Sequence, residues 1–140
     1  MQWSAGANAG FSQAEPWLPL AGDFRDANVQ NQRPDATSML NLYRRLIALR
    51  RSRKALVQGC YQPIPASDDL LLFVRSHGDE RLLVALNMGE APVHLPATRL
   101  AGAVLLSSGG DREGESVADA FELRPHEGLV IGLAHTAQVP

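Results

Sequence analysis

At 140 residues the chain has the bulk for one ordinary hydrophobic core. Its apolar share of 45% and charged share of 20% are those of a globular protein and exclude a wholly disordered one. A net charge of −2 gives no global attraction to nucleic acid or anionic lipid, and no apolar run approaches the roughly 20 residues that span a bilayer.

Residues 1–34 read as an irregular segment. "SAGANAG", "EPWLPLAG" and "NQRP" place Gly, Pro and Asn every few residues, without a sustained period. The aromatics Trp3, Phe11, Trp17 and Phe24 argue against plain disorder and look like anchors for a loop lying on a surface. This stretch also lacks the charged-then-apolar layout of a signal peptide, and the lone Cys60 has no internal partner. A cytoplasmic location is the expectation from both.

One amphipathic α-helix is predicted over 35–55, carried by "DATSMLNLYRRLIALRRSRK". Asp35 or Thr37, just after Pro34, can cap its start. Met39, Leu42, Tyr43, Leu46, Ile47 and Leu49 recur at helical spacing on one broad face, with Arg44, Arg45 and Arg51 opposite. Arg50, Arg53 and Lys54 step back into the apolar sector. That predicts fraying near residue 51 or a buried ion-pair partner.

From residue 56 the period becomes that of strands. "LVQGCYQPI", "DLLLFVRS", "RLLVALNM", "PVHLP", "AVLLSS", "AFELRP" and "GLVIGLA" are short apolar runs punctuated by Gly, Pro, Asn and Asp. "FVRSHGDERLLVAL" reads as a hairpin whose turn is supplied by Gly78 and Asp79. Strands with no helix between them cannot build a parallel α/β sheet. The fold class is therefore mainly β: an antiparallel β-sandwich over 56–136, Greek-key-like, with a tail at 137–140. Leu72, Val74, Leu83, Ala85, Val130 and Leu133 are expected to face inward between the sheets, with Arg75 and Arg81 flanking the hairpin turn.

Chemistry-bearing residues are present but do not form a pattern. The carboxylates Asp68, Asp69, Asp111, Glu113 and Glu115 all fall in turn-forming segments and read as solvated acidic turns. His77, His94, His126 and His135 show neither HxxxH nor HxH spacing, so no metal or other cofactor is expected. Ser107 and Ser108 lack the GxSxG elbow, and Cys60 has no nearby His to activate it. The glycines of "SSGGDREGE" could in principle form an anion-binding nest, though a mobile hairpin tip is the plainer reading. The basic cluster Arg44, Arg45, Arg50, Arg51, Arg53 and Lys54 is split around the helix without an aromatic platform, which reads as a solvated face rather than a nucleic-acid stripe. No catalytic or substrate-binding residue is assignable.

Taken in order, "MQW", "NAGFS", "PWLPL", "NV..Q" and "SMLNLYRRLIALRRSRKAL" resemble the C-terminal part of α-glucosidases of glycoside hydrolase family 13, in the oligo-1,6-glucosidase and trehalose-synthase-like branch. "LLLFVRS", "RLLVALNMGEAPVHLP" and "LRPHEGLVI" are similar to the α-amylase C-terminal β-domain, with its final "L-x-P-x-E" strand entry. The resemblance implies that residues 1–34 are the loop after the last strand of a (β/α)₈ barrel and 35–55 its last helix. It also implies that Met1 is internal to a larger hydrolase. The family's Asp nucleophile, Glu acid/base and stabilising Asp lie in motifs that precede this segment, so the chain itself is expected to be non-catalytic. The family usually has Asp after "MQW"; here it is Ser4. The implied partner is the catalytic barrel. Without it, residues 1–33 are expected either to fold back over the helix or to become mobile, and the helix then to mediate a homodimer. A free-standing carbohydrate-binding or protein-interaction module is the alternative.

Overall fold

The computed structural model describes residues 1–95, 101–118, 121–135 and 137, in two compact units, 1–45 and 46–140. The first unit is organised by side-chain amides more than by a core. Asn28 caps the short helix α1 (Val29–Gln32): its Oδ1 accepts the Asn31 amide at 3.0 Å while its Nδ2 donates to the Phe24 and Arg25 carbonyls. The Val29 and Gln30 amides reach back to the Gln2 and Trp3 carbonyls, both at 3.0 Å, and tie the N-terminal segment to α1. Asn41 Nδ2 collects the Gln32, Arg33 and Asp35 carbonyls in the same way. Residues 1–33 leave most of the apolar stripe open within this unit, where Met39 and Tyr43 each remain 60% exposed.

The predicted single helix is two. Helix α2 spans Met39–Ser52 and α3 spans Lys54–Gln58, separated by Arg53 in an extended conformation. The start also differs. Asp35 closes a turn on Thr37, accepting its amide at 2.9 Å and its hydroxyl at 2.7 Å, and this delivers Ser38 to the cap. The Ser38 hydroxyl accepts the Asn41 amide at 3.3 Å. At the break, Glu80 takes over: its carboxylate meets Arg53 at 3.5 Å and accepts the Ala55 amide at 2.8 Å. The misplaced cations in the helical pattern therefore mark a stop whose partner lies far along the chain.

In the second unit the strands are β1 (Cys60–Ile64), β2 (Leu70–His77), β3 (Glu80–Asn87), β4 (Val93–His94), β5 (Gly102–Ser107), β6 (Ser116–Val117), β7 (Glu122–Leu123) and β8 (Gly128–Leu133). Six form one antiparallel sheet in the order β1-β2-β3-β8-β5-β6, and β4 pairs with β7 in a second layer. The hairpin turns where the sequence places it, with His77 opposite Glu80 and Gly78 in the left-handed region at φ +57°. "PVHLP" and "AFELRP" each include a residue outside the described set, Pro96 and Ala120, and supply β4 and β7 from the rest. Of the predicted tail, 138–140 lie outside it too. Ala137 is buried and its carbonyl accepts from Arg81 at 2.8 Å.

One core fills the space between the layers. Leu72, Val74, Leu83 and Ala85 point into it as expected, joined by Ile64, Val104, Leu129 and Ile131 from the large sheet and by Leu95, Phe121 and Leu123 from the other side. Leu133 packs at its rim. Val130 does not belong there. Its register opposite Val84 and Leu106 turns it to the outer face of the sheet. Residues 130 and 133 are an odd number apart and cannot share a face of a regular strand; Leu129 and Ile131 hold the inward positions.

Helix α3 lies on that outer face. Ala55 is completely buried, and its carbonyl accepts from Arg75 Nε at 3.2 Å. The fit is close at Gly59, where a Cβ would stand 2.3 Å from the Ala55 carbonyl oxygen and 2.7 Å from that of Ser76. No side chain can be accommodated there without moving backbone.

Candidate functional site

The densest polar constellation joins the β5–β6 loop to the turn before β8. Ser107 organises the loop: its hydroxyl accepts the Gly110 amide at 2.9 Å and the Asp111 amide at 3.3 Å. The amides that could have cradled an external anion thus point at the chain's own oxygen. The tip is braced rather than merely a free turn. Glu113 is used here as well, accepting the Ser107 amide at 3.1 Å.

Arg112 is the centre. Its guanidinium lies 4.3 Å above the Phe121 ring and grips Glu115 with two donors, Nε at 2.7 Å and Nη2 at 3.1 Å. Nη1 donates to Glu127 Oε2 at 2.8 Å and to the Glu122 carbonyl at 3.0 Å. Arg112 is 9% exposed and Glu127 only 5%. Glu127 Oε2 also accepts the Arg124 amide at 2.9 Å, and Arg124 pairs with Asp111. The turn Arg124–Glu127 closes with His126 at φ +55°, an unusual conformation for a residue with a side chain.

The charges set one another. The hydrogen bond from Arg124 holds the Asp111 carboxyl below its ordinary 3.8 against some desolvation, and Arg112 holds Glu115 below 4.5 in the same way. The cations respond in kind: Glu115 raises Arg112 and Asp111 raises Arg124. A carboxylate depressed in the folded state contributes stability that is present above its unfolded pKa and lost as pH falls through the folded one. The β-unit is therefore expected to lose stability on acidification below about pH 4.5, and Glu115→Gln to flatten that loss. An acid titration of thermal midpoints that is identical for both proteins would remove Glu115 from the account.

The other sequence candidates are dispersed. Asp68 and Asp69 sit in the exposed turn before β2, where the Asp69 carbonyl accepts the Met88 amide at 2.8 Å. His77 ends β2, His94 stands 3.7 Å from Glu122, His126 3.3 Å from Glu90, and His135 follows β8. Among the described residues no three His, Cys, Asp or Glu form a group that could hold a metal ion. Cys60 is exposed at the start of the edge strand β1, and Ser108 accepts the Gly128 amide at 3.0 Å. Within the basic cluster, Arg50 donates to the Leu56 carbonyl and Arg44 to Asn41. The constellation that does form is a structural clamp. Its two buried members, Arg112 and Glu127, are the residues sequence reasoning passed over, although "L-x-P-x-E" contains one of them.

In the first unit, "NAG" has an unusual backbone. Asn8, Ala9 and Gly10 are successively left-handed at φ +52°, +53° and +71°. For Ala9 this conformation costs roughly 1–2 kcal/mol. Its carbonyl accepts the Trp3 amide at 2.8 Å and the Ser4 amide at 3.1 Å, which holds the loop shut. Ser4 presents its hydroxyl to the Gly6 amide at 3.3 Å. Beside this loop a cavity of about 650 Å³ is bordered by Gln2, Phe11, Glu15, Trp17 and Leu18, with Trp17 90% exposed.

Residues 1–59 match the family described as alpha amylase, catalytic domain, and residues 64–130 match a domain of unknown function, DUF3459. Two such matches in series, with the helices in one and the β-sheet in the other, define the class: catalytic-domain sequence of the α-amylase type running into a distinct β-domain. The chain matches a fragment of an α-glucosidase of glycoside hydrolase family 13. It is 32% identical over 140 residues to the trehalose-6-phosphate hydrolase of Bacillus subtilis strain 168, covering 95% of this chain and 24% of that protein. To the oligo-1,6-glucosidase of Parageobacillus thermoglucosidasius it is 31% identical over 137 residues, covering 93% and 24%. The crystal structure of the trehalulose synthase from Pseudomonas mesoacidophila MX-45 superposes with a TM-score of 0.85 at 29% identity, covering 95% of this chain and 24% of that one. The chain thus spans about a quarter of the length of the curated relatives it matches.

Proposed function

We propose that this chain is the non-catalytic C-terminal part of a cytoplasmic α-glucosidase-like enzyme acting on α-glucosides, and that its role is to stabilise the catalytic barrel. The observation that carries the reading is the pair of consecutive family matches, 1–59 and 64–130, within a chain a quarter the length of its relatives. Glycoside hydrolysis needs two carboxyl groups facing each other across the scissile bond, about 5–10 Å apart. The carboxylates gathered in the β-unit are instead engaged by arginines: Asp111 by Arg124, and Glu115 and Glu127 by Arg112. The purified chain is therefore expected to leave an aryl α-glucoside intact. Turnover that disappears when one of its own carboxylates is replaced by the amide would overturn the reading.

A further inference from the structure

We propose that residues 108–115 form an ionic strap over Phe121, which acidification releases while the six-stranded sheet stays folded. This stretch, Ser-Gly-Gly-Asp-Arg-Glu-Gly-Glu, contains no apolar side chain, so polar contacts alone can hold it down. Its two ends are anchored to the sheet: the Ser108 amide donates to the Gly128 carbonyl and the Gly114 amide to that of Val104, both at 2.8 Å. Between those anchors one side chain, Arg112, is buried. Gly110 at φ +71° and Gly114 at φ +85° flank it as pivots in the left-handed region.

What Arg112 covers defines the closed state. Its guanidinium lies over the Phe121 ring and bonds both the Glu127 carboxylate and the Glu122 carbonyl. With the strap closed, Phe121 is 8% exposed and Glu127 5%. The second fastening, Asp111 to Arg124, lies at the surface. The charges that face one another are Asp111, Arg112 and Glu115 from the strap, and Arg124 and Glu127 from the turn before β8. The remaining neighbours have other partners: Glu113 accepts the Ser107 amide, Glu122 stands beside His94, and His126 beside Glu90. Between its anchors, each fastening of the strap thus runs through an arginine.

Acid acts on one side of each pair. The arginines stay charged, and their hydrogen bonds hold the Asp111 and Glu115 carboxyls below the ordinary values of 3.8 and 4.5. Closure is therefore present above that range and is lost as pH falls through the lowered values. Once the carboxyls are neutral, Arg112 is a buried cation without compensation, a state far less favourable than hydration. Water is one swing of the strap away, and no apolar side chain of the strap opposes it. The core is held differently. Leu83, Leu129 and Ile131 carry no titratable group, and their packing does not depend on pH.

The test is hydrogen exchange by NMR on the 140-residue chain from neutral pH to about pH 3, expressed against the rates of an unfolded chain. The Gly110, Asp111 and Gly114 amides and the Arg112 Nε–H should lose about tenfold or more of their protection as pH falls, while the amides of β3 and β8 keep theirs. Arg112→Gln should lower strap protection already at neutral pH and remove its pH dependence. Should that variant fail to fold, Asp111→Asn with Glu115→Gln, at two half-exposed side chains, gives the same reading through a less protected strap and a flatter titration. Glu90→Gln removes only the partner of His126 and should behave as wild type. Strap and sheet amides that lose protection at one common pH overturn the proposal, because the strap then has no motion of its own. A wild-type strap already unprotected at neutral pH overturns it as well. So does strap protection that both sets of substitutions leave unaltered, or a titration that Glu90→Gln abolishes.

Discussion

Replacing Glu127 with leucine is expected to destabilise the β-unit by about 3–5 kcal/mol, the range for removing one partner of a buried ion pair. Glu127 is 5% exposed and serves two donors with one oxygen, Arg112 Nη1 and the Arg124 amide. Without it Arg112 keeps Glu115 and the Glu122 carbonyl, yet one guanidinium nitrogen loses its charged acceptor inside the protein. The Arg124–Glu127 turn loses its brace at the same time, and His126 then holds a left-handed conformation with less to fix it. The partner replacement decides the interpretation. Arg112→Met combined with Glu127→Leu removes both charges, and a buried pair replaced by apolar residues of similar volume is often close to neutral. Amide exchange of the β8 strand, measured on both single variants and the double, gives the coupling directly. A loss below about 1 kcal/mol for Glu127→Leu would show that the clamp is incidental.

The clamp was hidden from the sequence for a definite reason. Arg112 sits in a Gly- and Ser-rich stretch that reads as solvent-facing, and its partners are 3 and 15 residues away in segments of different period. No local pattern announces that a loop arginine is covered by Phe121, an aromatic ring just before β7. The helix break at Arg53 was half visible. Cations stepping into the apolar sector foretold a disturbance, but Glu80, which accepts an amide from the first turn of the next helix, is 25 residues from Ala55. The hairpin at Gly78 was legible because glycine supplies the left-handed turn position and the flanking alternation sets the register. β4 and β7 were harder to see, since a two-residue pairing leaves almost no period to read. The family resemblance rested on several short motifs in a fixed order, a kind of information that does not depend on knowing what each residue touches.

Leu83→Ala tests the centre of the same unit. Leu83 is 2% exposed in β3, opposite Val74 on one side and Ile131 on the other, so its side chain stands in the middle of the inner face. Both neighbours are themselves buried in the core, and the β4–β7 layer closes it from the far side. Strands hydrogen-bonded on both edges cannot move together to fill the space that the truncation leaves. The loss therefore combines the transfer free energy of the removed carbons with a cavity term, about 2–5 kcal/mol for a buried leucine. Tyr61→Ala, on the edge strand β1, removes a larger side chain and should cost far less in the isolated chain, because that residue is 55% exposed. Urea unfolding of the two variants separates the faces. If Leu83→Ala costs less than about 0.5 kcal/mol, the value typical of surface sites, the inner face is not the core. If Tyr61→Ala costs as much as Leu83→Ala in the isolated chain, the β1 edge is covered in solution and Tyr61 is not the exposed residue described.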